Sequence, residues 1–477
     1  MNVAVITLKV LVVIVLLSSA PLALKRRWRL FLAIPLSVFQ CFLPLVEVAG
    51  VPVPLAFFGG MMLWPDLIRE FKKVVSWKLT AYVLGIAVLY TLSLLWSVNR
   101  KLGLQPIGYA CQFLIIFAAV ITEGRRDQRI IIRLLLITLA FGVLQAIAVV
   151  VFRLLPGLKL QFYLSSVSRF FITGNLLDKL LTTAHANTLD PTKSGGLTFP
   201  DANDGAAYLG ILAFTALGLA LYLGKKWLGA LCLLFLGATA FTGSKAALIF
   251  AVTLPLIALH VISLHYRPFR NRLRMAMVGI VFLGVLAWIV PRAIEAGESS
   301  GYRALAKFLS RSDATLASRE QIWSYGAVAF LQQPFLGQGF GGWQAGFTRF
   351  AYKYGIESDF PPHNTIIYLW SQGTLLATVL GLGFIIGVLR FGWRQMRDTP
   401  LEYLGLNLAM TMAFLWAFIY GMGSNIGLIG EAHMSPVLAS LLALGYVHRR
   451  ASAVPENAAG PTARARPLAR AAPATIP

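Results

Sequence analysis

The sequence predicts an all-α polytopic membrane bundle of twelve or thirteen spans, with a large, partly helical loop on one side of the bilayer. Three observations carry that prediction. The chain is 57% hydrophobic and 13% charged, with a mean hydropathy of +0.72, which excludes an ordinary soluble globular domain of 477 residues. Its apolar residues gather into runs long enough to cross hydrocarbon, where a backbone must satisfy its own hydrogen bonds. Its basic residues cluster between those runs, at 25–29, 72–78, 125–133, 225–226, 267–274, 390–397 and from 449 onward. That distribution makes the net charge of +23 a topogenic signal and not a nucleic-acid footprint.

The runs are taken in order with the basic clusters placed inside. Run 3–24 holds only Lys9, and positive charge follows it instead of preceding it, so it is a span and not a signal peptide. Runs 30–48 and 50–65 form an out-and-back hairpin, which Glu47, Gly50, Pro52 and Pro54 interrupt. A re-entrant piece there is the alternative, and it lowers the count to twelve. Runs 78–96 and 104–122 form the next hairpin, and 130–152 leads outward to a first external loop, 153–205. Runs 206–223 and 227–243 dip around Lys225 and Lys226, 246–263 goes in, and 275–291 comes out to a second external loop, 292–362. Run 364–389 returns, and 401–421 and 431–447 complete the membrane domain, 1–450. Residues 451–477, rich in Ala, Pro and Arg, read as a disordered cytoplasmic tail.

In the second loop, Leu316, Ile322, Trp323, Val328 and Leu331 give residues 316–331 a helical rhythm. This predicts a helix on the membrane surface, with Trp323 and Trp343 at headgroup depth. Cys41, Cys111 and Cys232 sit inside apolar runs, without disulfide or zinc-site spacing. The glycines of 337–342 lack the strand–helix context of a dinucleotide site. Glu357 and Asp359 flank His363 but form no metal set, and no cofactor is expected.

Sidedness gathers the conspicuous polar residues on one face: 193–203, Lys245, the 292–362 loop, His363 and 425–433. His363 follows Pro361 and Pro362 where a polar loop meets an apolar helix, which suits a base or positioning group, or a plain cap or hinge. Arg319 reads as an anion grip or as a wet surface ion pair with Glu320 or Asp313. Glu431 and His433 lie near the mouth of the last span, where ionisable groups serve either function or helix packing.

Three blocks in order, Ser318-Arg319-Glu320-Gln321-Ile322-Trp323, then 334–341, then Pro362-His363-Asn364-Thr365 leading to Gly373, resemble the bacterial O-antigen ligase/polymerase superfamily. Two upstream segments are also similar to motifs of that superfamily: 197–203 with Ala206, and Thr242-Gly243-Ser244-Lys245-Ala246. Members commonly carry arginine where this chain has Lys245, which keeps the charge but loses the planar fork. The resemblance implies a GT-C-like bundle in the bacterial inner membrane, with its active site facing the periplasm. It implies metal-independent transfer of a glycan from undecaprenyl diphosphate to a hydroxyl. The acceptor is lipid A core for a ligase, or a second lipid-linked glycan for a polymerase of O-antigen or exopolysaccharide repeats. By the same resemblance His363, Arg319 and Lys245 are catalytic: Arg319 clamps the diphosphate, Lys245 adds charge, and His363 aims the hydroxyl. Either Lys245 works as a point charge or the anion contact has shifted to neighbours such as Lys193, Arg303 or Arg311, and Asn364 orients His363 or caps its helix. Asp201 and Asn203 are acceptor-side or loop-ordering groups, while Glu431, with His433 beside it as a donor- or acceptor-binding residue, pairs with Arg319 or binds sugar hydroxyls. A polysaccharide transporter and a non-catalytic envelope scaffold are the competing classes. The sequence lacks the internal repeat and the charged mid-span residues common in transporters.

Overall fold

A computed structural model describes residues 19, 24–39, 42–48, 51–172, 190–199, 201–265, 271, 274–279, 281, 314–354, 361–398, 401–424, 427–429 and 431–452. The chain is a helical, multi-span membrane bundle. Five helices are long and apolar enough to cross a bilayer, or six if one bent pair counts as a span, among the described residues. The longest, α5 (Arg100–Leu154), has 55 residues, which as one straight rod would be about 80 Å, against a hydrocarbon core of about 30 Å. Asp127 breaks it with extended angles (φ −151°, ψ 93°) inside the basic 125–133 cluster, so it supplies both expected runs, 104–122 and 130–152.

The region before α5 departs from expectation. In place of two spanning helices at 30–48 and 50–65 stand α1 (Arg26–Ala33), a 3-10 turn (Pro35–Phe39), β1 (Phe42–Val48), β2 (Val51–Pro54) and α2 (Leu55–Met61). The two strands pair antiparallel. Pro44, Pro52 and Pro54 remove helix donors, and the valines between them favour extended backbone. Helix α3 (Trp64–Ser76) follows, then α4 (Lys78–Ser93).

The rest of the bundle follows the apolar runs. Helix α6 (Pro156–Leu164) lies in the first external loop. Then come α7 (Ala202–Leu223), α8 (Lys226–Phe241) and α9 (Lys245–His265). Helices α10 (Ala314–Gln332) and α11 (Gly342–Tyr354) belong to the second loop. The expected span 364–389 is two helices, α12 (Thr365–Gln372) and α13 (Leu375–Asp398), separated at Gly373 (φ −108°, ψ −107°). Helices α14 (Leu401–Gly421) and α15 (Ser435–Ser452) complete the bundle. Runs 3–24 and 275–291 and the 453–477 tail fall largely or wholly outside the described residues. Trp343 is fully buried against Tyr325 and Phe347, not at a headgroup surface, while Trp323 is exposed. The aromatic residues of α10 and α11 thus form a small core of their own with Ile322 and Trp370.

Helix α7 is the centre of the bundle, packed on α14, α8 and α5. Close approach to α14 needs small residues: a Cβ on Gly218 would meet the Gly405 carbonyl, and one on Gly210 would enter the Trp416 ring. Trp416 Nε1 donates to the Ala207 carbonyl at 3.0 Å across that contact.

The contacts sort the bundle into two ends. Arg26 pairs with Asp66 at 2.6 Å and Glu123 at 3.4 Å, Arg27 with Glu123 at 3.5 Å, and Arg125 with Glu70 at 3.4 Å; Lys73 also pairs with Glu70. Gln128 Nε2 lies 2.6 Å from His448 Nε2, the His448 ring packs on Tyr403, and His265 Nε2 lies 3.0 Å from the Met396 carbonyl. The basic clusters at 25–29, 72–78 and 125–133 therefore meet at one end, where His448 also lies. The opposite ends of the same helices carry Asn203, Ser244, Tyr420 and Ser435.

Candidate functional site

Residues 190–199 are pinned across the end opposite the basic clusters. Gln145, buried in α5, donates from Nε2 to the Gly195 carbonyl at 2.6 Å and accepts from the Leu197 amide at 3.0 Å. Lys159 of α6 donates to the Asp190 and Lys193 carbonyls at 2.6 and 3.0 Å. The Ser194 amide donates to the Thr242 carbonyl at 3.0 Å, and Thr198 donates to the Val38 carbonyl at 3.1 Å. Gly243, at φ +78°, lets this loop lie against the 242–245 turn, since a Cβ there would strike the Thr192 carbonyl.

Three segments meet beneath the loop. Asp201 caps α7 by accepting from the Asn203 amide at 2.8 Å. Tyr420, at the end of α14, donates to Asn203 Oδ1 at 3.1 Å and lies 2.7 Å from Ser244 Oγ. Ser244 accepts from the Ala247 amide at 3.4 Å, so it starts α9, and Lys245 follows it as an exposed first residue. Glu431, in the link from α14 to α15, has Asp201, Asp204, Tyr109 and Tyr368 within electrostatic range. Burial, with the Asp201 charge adding, pushes the Glu431 carboxyl up to about 7. Burial also raises Asp201, opposed by the Asn203 amide and by Lys193. A carboxyl poised near neutrality can take up or give a proton at ambient pH.

His433 is wholly buried, its ring 4.4 Å from Phe199 and 5.2 Å from Tyr208 by centroids. Burial depresses it to about 3, so it is a neutral ring packed between the loop and α7 and not a cationic anion contact.

His363 has φ +45°, the one non-glycine residue in that region among the described residues. Asn364 Oδ1 accepts from the Ile366 and Ile367 amides at 2.9 and 3.2 Å, so Asn364 is the N-cap of α12. His363 thus stands one residue before the cap, at the mouth of a short helix and not of the span itself. Tyr368, which donates its amide to the Asn364 carbonyl, brings this helix within range of Glu431. Arg319 lies in α10, three residues before Ile322, and its side chain is outside the described set, as are Arg303 and Arg311 entirely. Position 319 shares a helix face with Ile322 and Gly326, and a Cβ on Gly326 would touch Ile367 of α12.

The structure therefore joins Lys193, Asp201, Asn203, Lys245, Glu431 and His433 in one region, with His363 and Asn364 at the start of the neighbouring α12. Asp204, Tyr420, Tyr109 and Tyr368 join the region without a sequence signal, since Asp204 precedes the apolar run 206–223, while Ser244 is marked only as part of the 242–246 motif. No group of three or more His, Cys, Asp or Glu is arranged to hold a metal ion, among the described residues.

Fold and site define a polytopic helical membrane protein with a polar, carboxylate-lined region opposite its basic loops. Residues 230–380, about a third of the chain, match a family model described as O-antigen ligase. The matched stretch runs from α8 into α13 and contains Lys245, Arg319, His363 and Asn364. No curated protein matches the chain.

Proposed function

We propose that this protein transfers a glycan from undecaprenyl diphosphate to an acceptor hydroxyl at the periplasmic face of a bacterial inner membrane. The observation that carries the reading is the O-antigen ligase match over 230–380, which falls on the residues assigned to the chemistry. Supporting it is Tyr420, whose hydroxyl joins Asn203 to Ser244 while Asp201 accepts from the Asn203 amide, at the end of the bundle away from the basic loops.

In this reading the sugar's anomeric carbon loses its bond to the diphosphate, which departs with the electron pair, and gains one to the acceptor oxygen. Arg319 grips the departing diphosphate with two guanidinium donors, and Lys245, exposed at the start of α9, adds a point charge. His363 aims the acceptor hydroxyl and takes its proton. Glu431 and Asp201 hydrogen-bond sugar hydroxyls, with Lys193 balancing their charge.

The test is a reconstitution. Purified protein is mixed with a lipid-linked oligosaccharide, with or without lipid A core, and products are resolved by gel. Capped lipid A core identifies a ligase, and elongation without core identifies a polymerase. If neither forms while the lipid-linked glycan crosses the bilayer, the transferase reading fails and a transporter replaces it.

A further inference from the structure

Helix α3 bends 108° from α4 at Trp77, which leaves it within about 20° of perpendicular to α4. Its 13 residues reach about 20 Å, too short for a hydrocarbon core of about 30 Å. Its outward face is apolar: Trp64, Ile68, Phe71 and Val75, spaced by four, three and four residues, are all exposed. Arg69 and Lys72 are exposed on one flank of that stripe. Asp66, Glu70 and Val74 are buried, and the two carboxylates are held by Arg26, Arg125 and Lys73. The acids of α3 are thus turned inward and neutralised there. Arg69 and Lys72 make no ion pair among the described residues, which leaves their charge for an outside partner.

We propose that α3 lies in the plane of the membrane interface at the basic end of the bundle and docks on anionic phospholipid. The apolar stripe enters the acyl boundary while Arg69 and Lys72 meet the headgroups. Hydrocarbon on one side and anionic oxygen on the next are what this sequence of faces fits. A broken span would carry both uncompensated cations into hydrocarbon. A second copy on the same stripe would set Arg69 and Lys72 near their own equivalents, like charge on like charge.

The test uses the full chain in nanodiscs, spin-labelled singly through Trp64→Cys, Ile68→Cys, Phe71→Cys or Val75→Cys in a background without native cysteines. Oxygen and nickel-complex accessibilities give the depth of each label. An in-plane helix places all four at one shallow depth in phosphatidylglycerol-containing discs. A steady gradient along 64–75 would mean a broken span and overturn the proposal, as would spin–spin broadening between copies. The lipid half is read by native mass spectrometry of retained phosphatidylglycerol against phosphatidylcholine. Each basic group near an anionic surface is worth about a fivefold preference, so Arg69→Gln with Lys72→Gln should lower the enrichment about 25-fold. Equal enrichment in wild type and the double variant would sink the anionic-lipid assignment even if the depths agree.

Discussion

At the basic end of the bundle each buried carboxylate has a cation against it: Asp66 has Arg26, Glu123 has Arg26 and Arg27, and Glu70 has Lys73 and Arg125. At the opposite end Asp201, Asp204 and Glu431 lie within range of one another, and none makes an ion pair among the described residues. Buried carboxylates matched by cations hold helices together. Burial, with a like charge beside it, raises the Glu431 carboxyl to about 7. The contrast separates a joint from a workplace, and it predicts that substitutions at the two ends fail in different assays.

The largest effect belongs to His363. His363→Ala should lower transfer by about a hundredfold or more, the range for losing a positioned base, with insertion and thermal midpoint close to wild type. Unchanged turnover in the reconstituted assay, at matched protein, would remove the base assignment. The counterpart at the basic end is Arg26→Met, which strips a shared cation from two buried carboxylates. It should cost about 3 kcal/mol of stability, seen as a lower thermal midpoint, with turnover per folded molecule intact. Loss of turnover without loss of stability would reverse the contrast.

Smaller effects sharpen it. Tyr420→Phe removes the hydroxyl that joins Asn203 to Ser244, and should cost about 1–2 kcal/mol and up to about tenfold in turnover. If stability falls alone, Tyr420 is structural and the carboxylate-lined end is less committed to chemistry than proposed. Glu431 gives a pH signature. Its carboxyl, at 4.5 when free, is raised to about 7 in the fold, so the folded chain binds the extra proton between those values. The stability it contributes is complete below about 4.5 and is lost as pH climbs through 7. Thermal midpoints should fall across that window, and Glu431→Gln should flatten the slope; an unchanged slope assigns the dependence to another group. The smallest change is Lys245→Arg, which keeps the exposed charge and should leave turnover near wild type, whereas Lys245→Ala lowers donor affinity. An inactive Lys245→Arg would mean a pocket shaped around an ammonium.

The two ends were not equally legible in the sequence. The basic end was readable because positive clusters between apolar runs report sidedness one loop at a time, and the contacts Arg26–Glu123 and Gln128–His448 bring those clusters together. Its carboxylate partners were not foreseen, since Asp66 and Glu123 meet Arg26 across 40 and 97 residues of chain. The opposite end was readable in its motifs but not in their joining: Tyr420 lies 217 residues from Asn203 and 176 from Ser244. At 42–54 Pro52 and Pro54 mark an interruption of the apolar run, but the antiparallel pairing of 42–48 with 51–54 is not something hydropathy reports. The break at Gly373 falls in Ser371-Gln372-Gly373-Thr374, a polar interruption too short to end the apolar run 364–389 by hydropathy alone. Asn364 was left open between two roles, and its two amide contacts decide for the cap.

Gln145 carries one more consequence. Its amide both donates to Gly195 and accepts from Leu197, so a side chain within a spanning helix acts as a strand partner for an external loop. The loop's conformational entropy is then surrendered during folding and not on encounter with a ligand. A surface ordered in advance binds without that penalty, and groups fixed beforehand lose little further freedom when reacting atoms must be aligned. On the proposed function, the segment from Lys193 to Leu197 meets an incoming molecule already ordered, and adaptation there falls to the molecule that arrives.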